Sequence, residues 1–332
     1  MATLYYSFLK VSNPYHIFKI YVSTDCGYSW QNYGDVPTGT CPDKEWIAVD
    51  KTKGVYKGRV YFAYTEFYER NNTTDPKPIM FLNGSANLQS FSSVQNISGQ
   101  HTGYLSQGVA LSIGNQGDVY AAWAIYDNQS SPCPENGIGF NKSTDGGNSW
   151  LGPWRIINIQ GIRTTWGHKN LSNGDIRVNS FPSMAVSGED NVYAGTIYLV
   201  WADMFWGDPD IFLIKSTDGG SNWVGQNGIN ISNGGLPIRV NNDQIENGKD
   251  QFLPVISVDK YGVIVVVFYD SREDESNRKT QVWAARSTDG GNTFQNFRIS
   301  DESFYLFPVR FSKDFWGDYI SICSVENKSI AV

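Results

Sequence analysis

The chain has 332 residues, 33 of them Gly, and 14% of it is aromatic. Its 26 Lys and Arg stand against 33 Asp and Glu, a net charge of −7, which argues against nucleic acid, because phosphate binding needs a basic surface. Charged residues are only 18%, which excludes a disordered or coiled-coil chain, and no stretch approaches the roughly 20 apolar residues of a membrane-spanning helix.

The opening segment, Met1 to Lys10, has neither the basic start nor the longer apolar run of a secretory leader. A leader removed earlier, or a longer parent chain, is therefore expected. Sequons begin at Asn72, Asn83, Asn96, Asn128, Asn141, Asn170, Asn230 and Asn327, and they permit glycosylation outside the cell. A chain rich in Asn, Ser and Thr also makes such triplets by chance.

In chain order, residues 4–8 and 17–21 read as strands, followed by the octapeptide at 23–30. Two strands come next, at 46–50 and 59–64, then a third at 79–82 with a decayed turn at 83–87 and an aromatic at Phe91. Strands at 109–113 and 118–123 precede a second octapeptide at 143–150. Strands at 183–186, 197–201 and 210–215 precede the third, at 216–223, and strands at 255–259, 263–268 and 281–286 precede the fourth, at 287–294. All four octapeptides read Ser-Thr-Asp-x-Gly-x-x-aromatic. Their physics is that of a hairpin turn. The Asp carboxylate accepts backbone N–H bonds, Gly supplies a positive φ, and the aromatic begins the next strand.

Each unit thus predicts four antiparallel strands, A to D, with the octapeptide between C and D, which is the plan of a β-propeller blade. Counting C strands gives five blades. Residues 318–325 read as a spare strand A, expected to close the ring by completing the first blade, whose own strand A is missing. A sixth blade stays open, because residues 329–332 read as a strand B cut short.

The octapeptides resemble the Asp boxes, or BNR repeats, of sialidases and their relatives. The resemblance covers nearly the whole chain and implies one all-β propeller domain over residues 1–332. It implies that the turns lie opposite the ligand face, which gives Asp25, Asp145, Asp218 and Asp289 a structural role. The ligand face is then built from B–C and D–A loops.

The ends of strand B supply Glu66, Asp203 and Asp270, with Ile125 at the matching place in the third unit. Loop residues Trp206, Arg272 and Arg70 follow, and D–A loops add Asp43, Glu45, Lys249, Asp250, Trp316 and Asp318. Glu66, Asp203, Trp206, Asp270, Arg272 and Trp316 are the candidate ligand-binding residues. Aromatic faces stack on sugar rings and carboxylates accept from hydroxyls. The bland alternative is a solvated rim whose carboxylates cap loops.

By the same resemblance, a sialidase needs three arginines on the substrate carboxylate, a Tyr nucleophile helped by Glu, and an Asp acid/base. Candidates are Arg70, Arg272 and Arg310 for the clamp, Tyr269 for the nucleophile, and Glu66 and Asp270 for the acids. The family's Phe/Tyr-Arg-Ile-Pro motif near the N-terminus is missing, and the similar Phe297-Arg298-Ile299-Ser300 falls on a strand D.

No zinc spacing exists among Cys26, Cys41, Cys133 and Cys323, and the three His are scattered. No cofactor is expected. Residues 203–210 and 270–277 are rich enough in oxygen to offer Ca²⁺ ligands, although such loops are more often simply solvated. With five blades, Cys26 and Cys323 would approach one another and form a disulfide across the ends, with Cys41 and Cys133 as a second pair. Four free thiols are the alternative. The expected role is glycan or glycoprotein binding, secreted or at the cell surface. The alternatives are a sialidase-type glycoside hydrolase and a structural or adhesive module that binds protein.

Overall fold

A computed structural model describes residues 3–11, 16–38, 41–67, 78–85, 90–99, 104–128, 133–163, 177–305, 320–326 and 328–331. The described chain is all-β. Apart from strands it has two 3₁₀ turns, at Gln226–Gly228 and Ile231–Asn233.

Six antiparallel sheets follow one another, and none closes into a barrel. The first has three strands, β1 (Leu4–Val11), β2 (His16–Ser23) and β3 (Gln31–Asp35). The second orders β4 (Pro42–Val49), β5 (Val60–Glu66), β6 (Ile79–Gly84) and β7 (Gln95–Asn96). The third orders β8 (Leu105–Ile113), β9 (Val119–Tyr126), β10 (Gly137–Ser143) and β11 (Trp154–Asn158). The fourth orders β12 (Ser183–Val186), β13 (Ile197–Asp203), β14 (Asp210–Ser216) and β15 (Ile238–Arg239). The fifth orders β16 (Gln251–Val258), β17 (Ile264–Asp270), β18 (Lys279–Ser287) and β19 (Gln295–Arg298), with β20 (Phe304–Tyr305) also on β18. The last is a hairpin of β21 (Ile322–Val325) and β22 (Lys328–Ala331).

The chain parts into two compact units, residues 1–125 with 139–154, and residues 126–138 with 155–332. The first unit packs Phe18, Ile20 and Val22 of β2 against Val60, Phe62 and Tyr64 of β5, and Tyr61 and Phe81 against Val109, Val119 and Trp123. The second packs Tyr198, Val200 and Leu213 against Ile256, Val266 and Phe268. In the first five sheets the second strand is the most deeply buried, and β9 and β13 are buried at every position. That burial explains their continuous apolar runs, since both faces are covered.

The four octapeptide turns share one set of hydrogen bonds. In the second, Asp145 Oδ1 accepts from Ser143 Oγ at 2.7 Å and from Ser149 N at 2.9 Å, Oδ2 accepts from Ser149 Oγ at 2.6 Å, and Gly147 N donates to Ser143 Oγ at 2.8 Å. Asp25, Asp218 and Asp289 repeat this pattern. Hydrogen bonds from the Ser29 side chain and backbone hold Asp25 down at about 2. At Asp289 burial works the other way, and the bonds from Thr293 outweigh it to give about 2 as well. Gly147 has φ 83°, and a Cβ there would meet Phe81 at 2.7 Å, so both conformation and packing require Gly.

Strand A starts earlier than the apolar run predicts. In β4 the register shifts between Asp43 and Trp46, and in β16 between Phe252 and Val255. Lys44 and Leu253 take φ 52° within these bulges, which breaks the alternation the sequence shows.

The strand read as a spare strand A pairs with β22, Val325 opposite Lys328, as a local hairpin. Closing so short a loop costs less chain entropy than reaching a distant partner. Ile320 and Ile322 pack beside Val255, Val267 and Ala284 of the fifth sheet. The four cysteines stand as free thiols. Cys26 and Cys323 are exposed thiols, Cys133 is a buried one, and Cys41 lies 3.9 Å from His16 Nδ1. Two of the sequons are closed as well, because Asn83 and Asn141 are buried and their amides donate to Gly147 O and Ile97 O.

Candidate functional site

The strand-B ends of β5, β13 and β17 carry a repeated latch. The residue after the strand donates its N–H to a carbonyl in the loop that leads into strand A: Phe67 to Cys41 at 3.0 Å, Met204 to Gln160 at 2.8 Å, and Ser271 to Asp250 at 3.1 Å. The carboxylate then accepts in return. Glu66 takes Cys41 N at 2.9 Å, and Asp203 takes Gln160 N at 3.0 Å. Asp270 instead accepts from its own loop, with Arg272 N and Arg272 Nε each at 2.8 Å. Glu66, Asp203 and Asp270 are thus buried groups that tie loops to strand ends. Glu66 belongs to the first unit, and the other two to the second.

In the second unit Asp203 and Asp270 stand at the end opposite the octapeptide turns. Asp203 pairs with Asp210 where β13 turns into β14, while Ser216 pairs with Ile197 at the far end. Asp270 pairs with Gln281, and Ser287 with Ile264, in the same sense. Gln251 N donates to Pro209 O at 2.8 Å, which places the two carboxylate-bearing ends side by side.

Two buried polar networks form there. In the first, Tyr126 OH donates to Glu135 Oε1 at 3.0 Å, and Arg163 Nη1 donates to Tyr126 OH at 3.0 Å. Ser180 N and Arg163 N donate to the two Glu135 oxygens at 3.0 and 3.3 Å. A Cβ on Gly161 would sit 2.3 Å from Glu135 Oε2, so only Gly allows this approach. Burial, then the Glu135 charge, pushes the Tyr126 phenol well above its usual range. Burial pushes Asp203 up to about 7, against the bonds from Trp201 Nε1 and Gln160 N. Burial likewise raises the Cys133 thiol. Sequence reasoning stopped at Ile125 and missed this network, because its carboxylate comes from the loop at Glu135 and not from the strand end.

The second network joins Asp210, Arg239, Asp243, Arg272 and Asp270. Arg239 Nη2 lies 2.6 Å from Asp210 and 3.1 Å from Asp243, and Arg272 Nη2 lies 2.7 Å from Asp270 and 3.6 Å from Asp243. Asn241 and Gln251 stitch the carboxylates together, with Asn241 Nδ2 at 2.6 Å from Asp210 and Gln251 Nε2 at 3.2 Å from Asp270. Arg272 also stacks 4.1 Å over Trp283 and donates to Asn242 Oδ1 at 2.7 Å. Burial raises both Asp210 and Asp270, against their arginine partners.

Trp206 lies half-buried on Phe212 at 5.1 Å, beside exposed Phe205. Tyr269 stacks on Phe252 at 5.5 Å. Arg70, Arg310 and Trp316 lie outside the described residues. Among the described residues no three His, Cys, Asp or Glu side chains converge as metal ligands, and no helix is long and apolar enough to cross a membrane.

The first unit has an open aromatic hollow of about 400 Å³ lined by Tyr6, Phe8, Tyr21 and Trp30. It arises from strand alternation. Tyr6 pairs with Tyr21 on one face of β1 and β2, while Leu9, Phe18 and Ile20 turn to the core. Tyr6 meets Trp30 edge-on at 6.2 Å, and Phe8 stacks on Tyr21 at 5.8 Å. Lys19, opposite Phe8 in the register, donates from Nζ to Asp35 Oδ1 at 2.5 Å.

Among solved structures, an ulvan lyase of a new polysaccharide lyase family superimposes over 98% of this chain and 72% of its own, at 10% identity and TM-score 0.54. A Dyadobacter fermentans protein of unknown function matches 77% of this chain and 68% of its own, at 18% identity and TM-score 0.50. The intramolecular trans-sialidase from Ruminococcus gnavus covers 80% of this chain and 72% of its own, at 10% identity and TM-score 0.48. No family model and no curated protein matches the chain. At these identities the likeness is one of fold, a repeat of small antiparallel sheets.

Proposed function

We propose that this chain is a propeller of Asp-box type that binds glycans or glycoproteins outside the cell or at its surface, without hydrolysing them. The observation that carries the binding half is the aromatic hollow. Four rings around about 400 Å³ offer apolar faces to the C–H faces of sugar rings, in a volume suited to a small ligand. The fold likeness to the ulvan lyase, which has also been solved bound to a glucuronate–rhamnose sulfate saccharide, is consistent with it. The shared turn geometry and the succession of four-stranded sheets support the propeller reading.

The denial of turnover rests on burial and pairing. A glycosidase must bring its acid, its nucleophile and its arginines into contact with substrate. Here Glu66, Asp203, Asp270, Tyr126 and Glu135 are each at most 3% exposed, and Arg272 is engaged by Asp270. The Tyr126–Glu135–Arg163 contact favours the hydrolase as the second reading, since it joins a phenol, a carboxylate and a guanidinium at hydrogen-bond distance.

A glycan array run with the wild type and with Trp30→Ala tests the proposal. Binding that falls about tenfold or more in the variant is expected, since loss of a stacking ring removes on the order of 1–2 kcal/mol. No glycan binding, or binding indifferent to Trp30, would refute it.

A further inference from the structure

The loop between β13 and β14 and the first residue of β14 carry two carboxylates that the hydrogen-bond network leaves half-satisfied. Asp208 is 6% exposed and Asp210 is 1% exposed. Each uses one oxygen fully. Asp208 Oδ2 accepts from Gly248 N at 2.7 Å, and Asp210 Oδ1 accepts from Arg239 Nε at 2.8 Å and Asn241 Nδ2 at 2.6 Å. The other oxygen of each, Asp208 Oδ1 and Asp210 Oδ2, is buried and accepts no hydrogen bond. Burial without a partner is costly for a carboxylate oxygen, and more so when the group is charged. The two residues are separated only by Pro209, and the charge of Asp208 is felt at Asp210.

The charge balance points the same way. Asp210, Asp243 and Asp270 pair with two guanidiniums, Arg239 and Arg272, leaving one negative charge in excess, and Asp208 adds a second beside Asp210. Asn241 and Gln251 donate hydrogen bonds but carry no charge. A buried cluster of this kind is stabilised by a cation that takes up the unpaired oxygens.

We propose that Asp208 Oδ1 and Asp210 Oδ2 bind a hard divalent cation, Ca²⁺ or Mg²⁺, which fastens the end of the β13–β14 loop to the start of β14. Both ions favour carboxylate oxygen and complete their shells with water or main-chain oxygen. Soft or borderline metals are disfavoured, because neither His nor Cys stands in the network. The site is independent of which sugar, if any, the protein binds.

The test is Tb³⁺ luminescence excited through tryptophan, with Trp206 two residues before Asp208, on metal-stripped wild type, Asp208→Asn and the exposed-site control Glu189→Gln. The expected result is a saturable signal in wild type and control that Ca²⁺ or Mg²⁺ displaces, weakened about tenfold or more in Asp208→Asn. Separate Ca²⁺ and Mg²⁺ displacement curves identify the preferred ion. Thermal unfolding of wild type alone gives a second readout that needs no variant to fold. About 5 mM of the preferred ion should raise the midpoint by about 2 °C over chelator, as expected for millimolar-class binding in a chain this long. No sensitised Tb³⁺ signal, a signal unchanged in Asp208→Asn, or midpoints indifferent to both ions would overturn the site.

Discussion

Asp203→Asn gives a direct measure of how strongly the strand-end carboxylates are buried. Burial holds the folded Asp203 near 7, whereas in the unfolded chain it titrates near ~3.9. The raised value means that the native state keeps a proton the unfolded state has already lost between about pH 4 and pH 7. Stability contributed by this group is therefore greatest below about pH 4, falls as pH rises through that window, and levels off above about pH 7. About three pK units at 1.36 kcal/mol each set a ceiling of about 4 kcal/mol. Asn does not titrate. It also replaces one of two accepting oxygens with a donor, disturbing the bond from either Trp201 Nε1 or Gln160 N, a pH-independent cost of about 1–3 kcal/mol. The diagnostic is the pH dependence and not the offset. Urea unfolding of both proteins at pH 4.5, about 6 and about 8 should show Asn gaining on Asp by roughly 2–4 kcal/mol across the range. Parallel curves, with a difference constant to within about 0.5 kcal/mol, would show that Asp203 is not a buried acid.

Two further outcomes are expected. Asp145→Ala removes the acceptor for Ser143 Oγ, Ser149 N and Ser149 Oγ, and should cost about 1–3 kcal/mol in urea unfolding at pH 7, a penalty that shrinks as pH falls from about 4, where the unfolded carboxylate protonates, to about 2, where the folded one does. A neutral effect at pH 7 would remove the turn's structural role. For the cysteines, a thiol reagent without reductant should label Cys26 and Cys323 rapidly in the native protein and all four cysteines once it is unfolded. Fewer than four thiols in denaturant would restore one of the expected disulfides.

The sequence made the repeat legible because the octapeptide is both local and chemically demanding. A Ser and an Asp two residues apart, then a Gly at positive φ, fit one turn, and the four copies fold alike. Strand B was equally readable, since burial on both faces leaves an unbroken apolar run in β13 and β17. The start of strand A was hidden by the bulges at Lys44 and Leu253, which admit polar and positive-φ residues into a strand. The strand-end position of Glu66, Asp203 and Asp270 was legible, but their burial was not, because it depends on loop backbones returning over them from Cys41 and Gln160. Glu135, Arg163 and Asp243 reach their networks from loops, and Arg239 from the two-residue β15, so nothing in their spacing singled them out. The hairpin of β21 and β22 pairs the two terminal segments that the sequence read as a strand A and a shortened strand B.

The central claim is binding without turnover, and one experiment reads both halves. Saturation-transfer NMR on sialyllactose and on the array's best glycan, followed by spectra of the same tubes over a day, reports contact and cleavage together. The account predicts transfer to at least the array ligand, lost in Trp30→Ala, and no release of free sugar from either compound. Steady release of sialic acid that is abolished by Tyr126→Phe or Arg272→Ala would contradict it and place the Tyr126–Glu135–Arg163 network in a working active site.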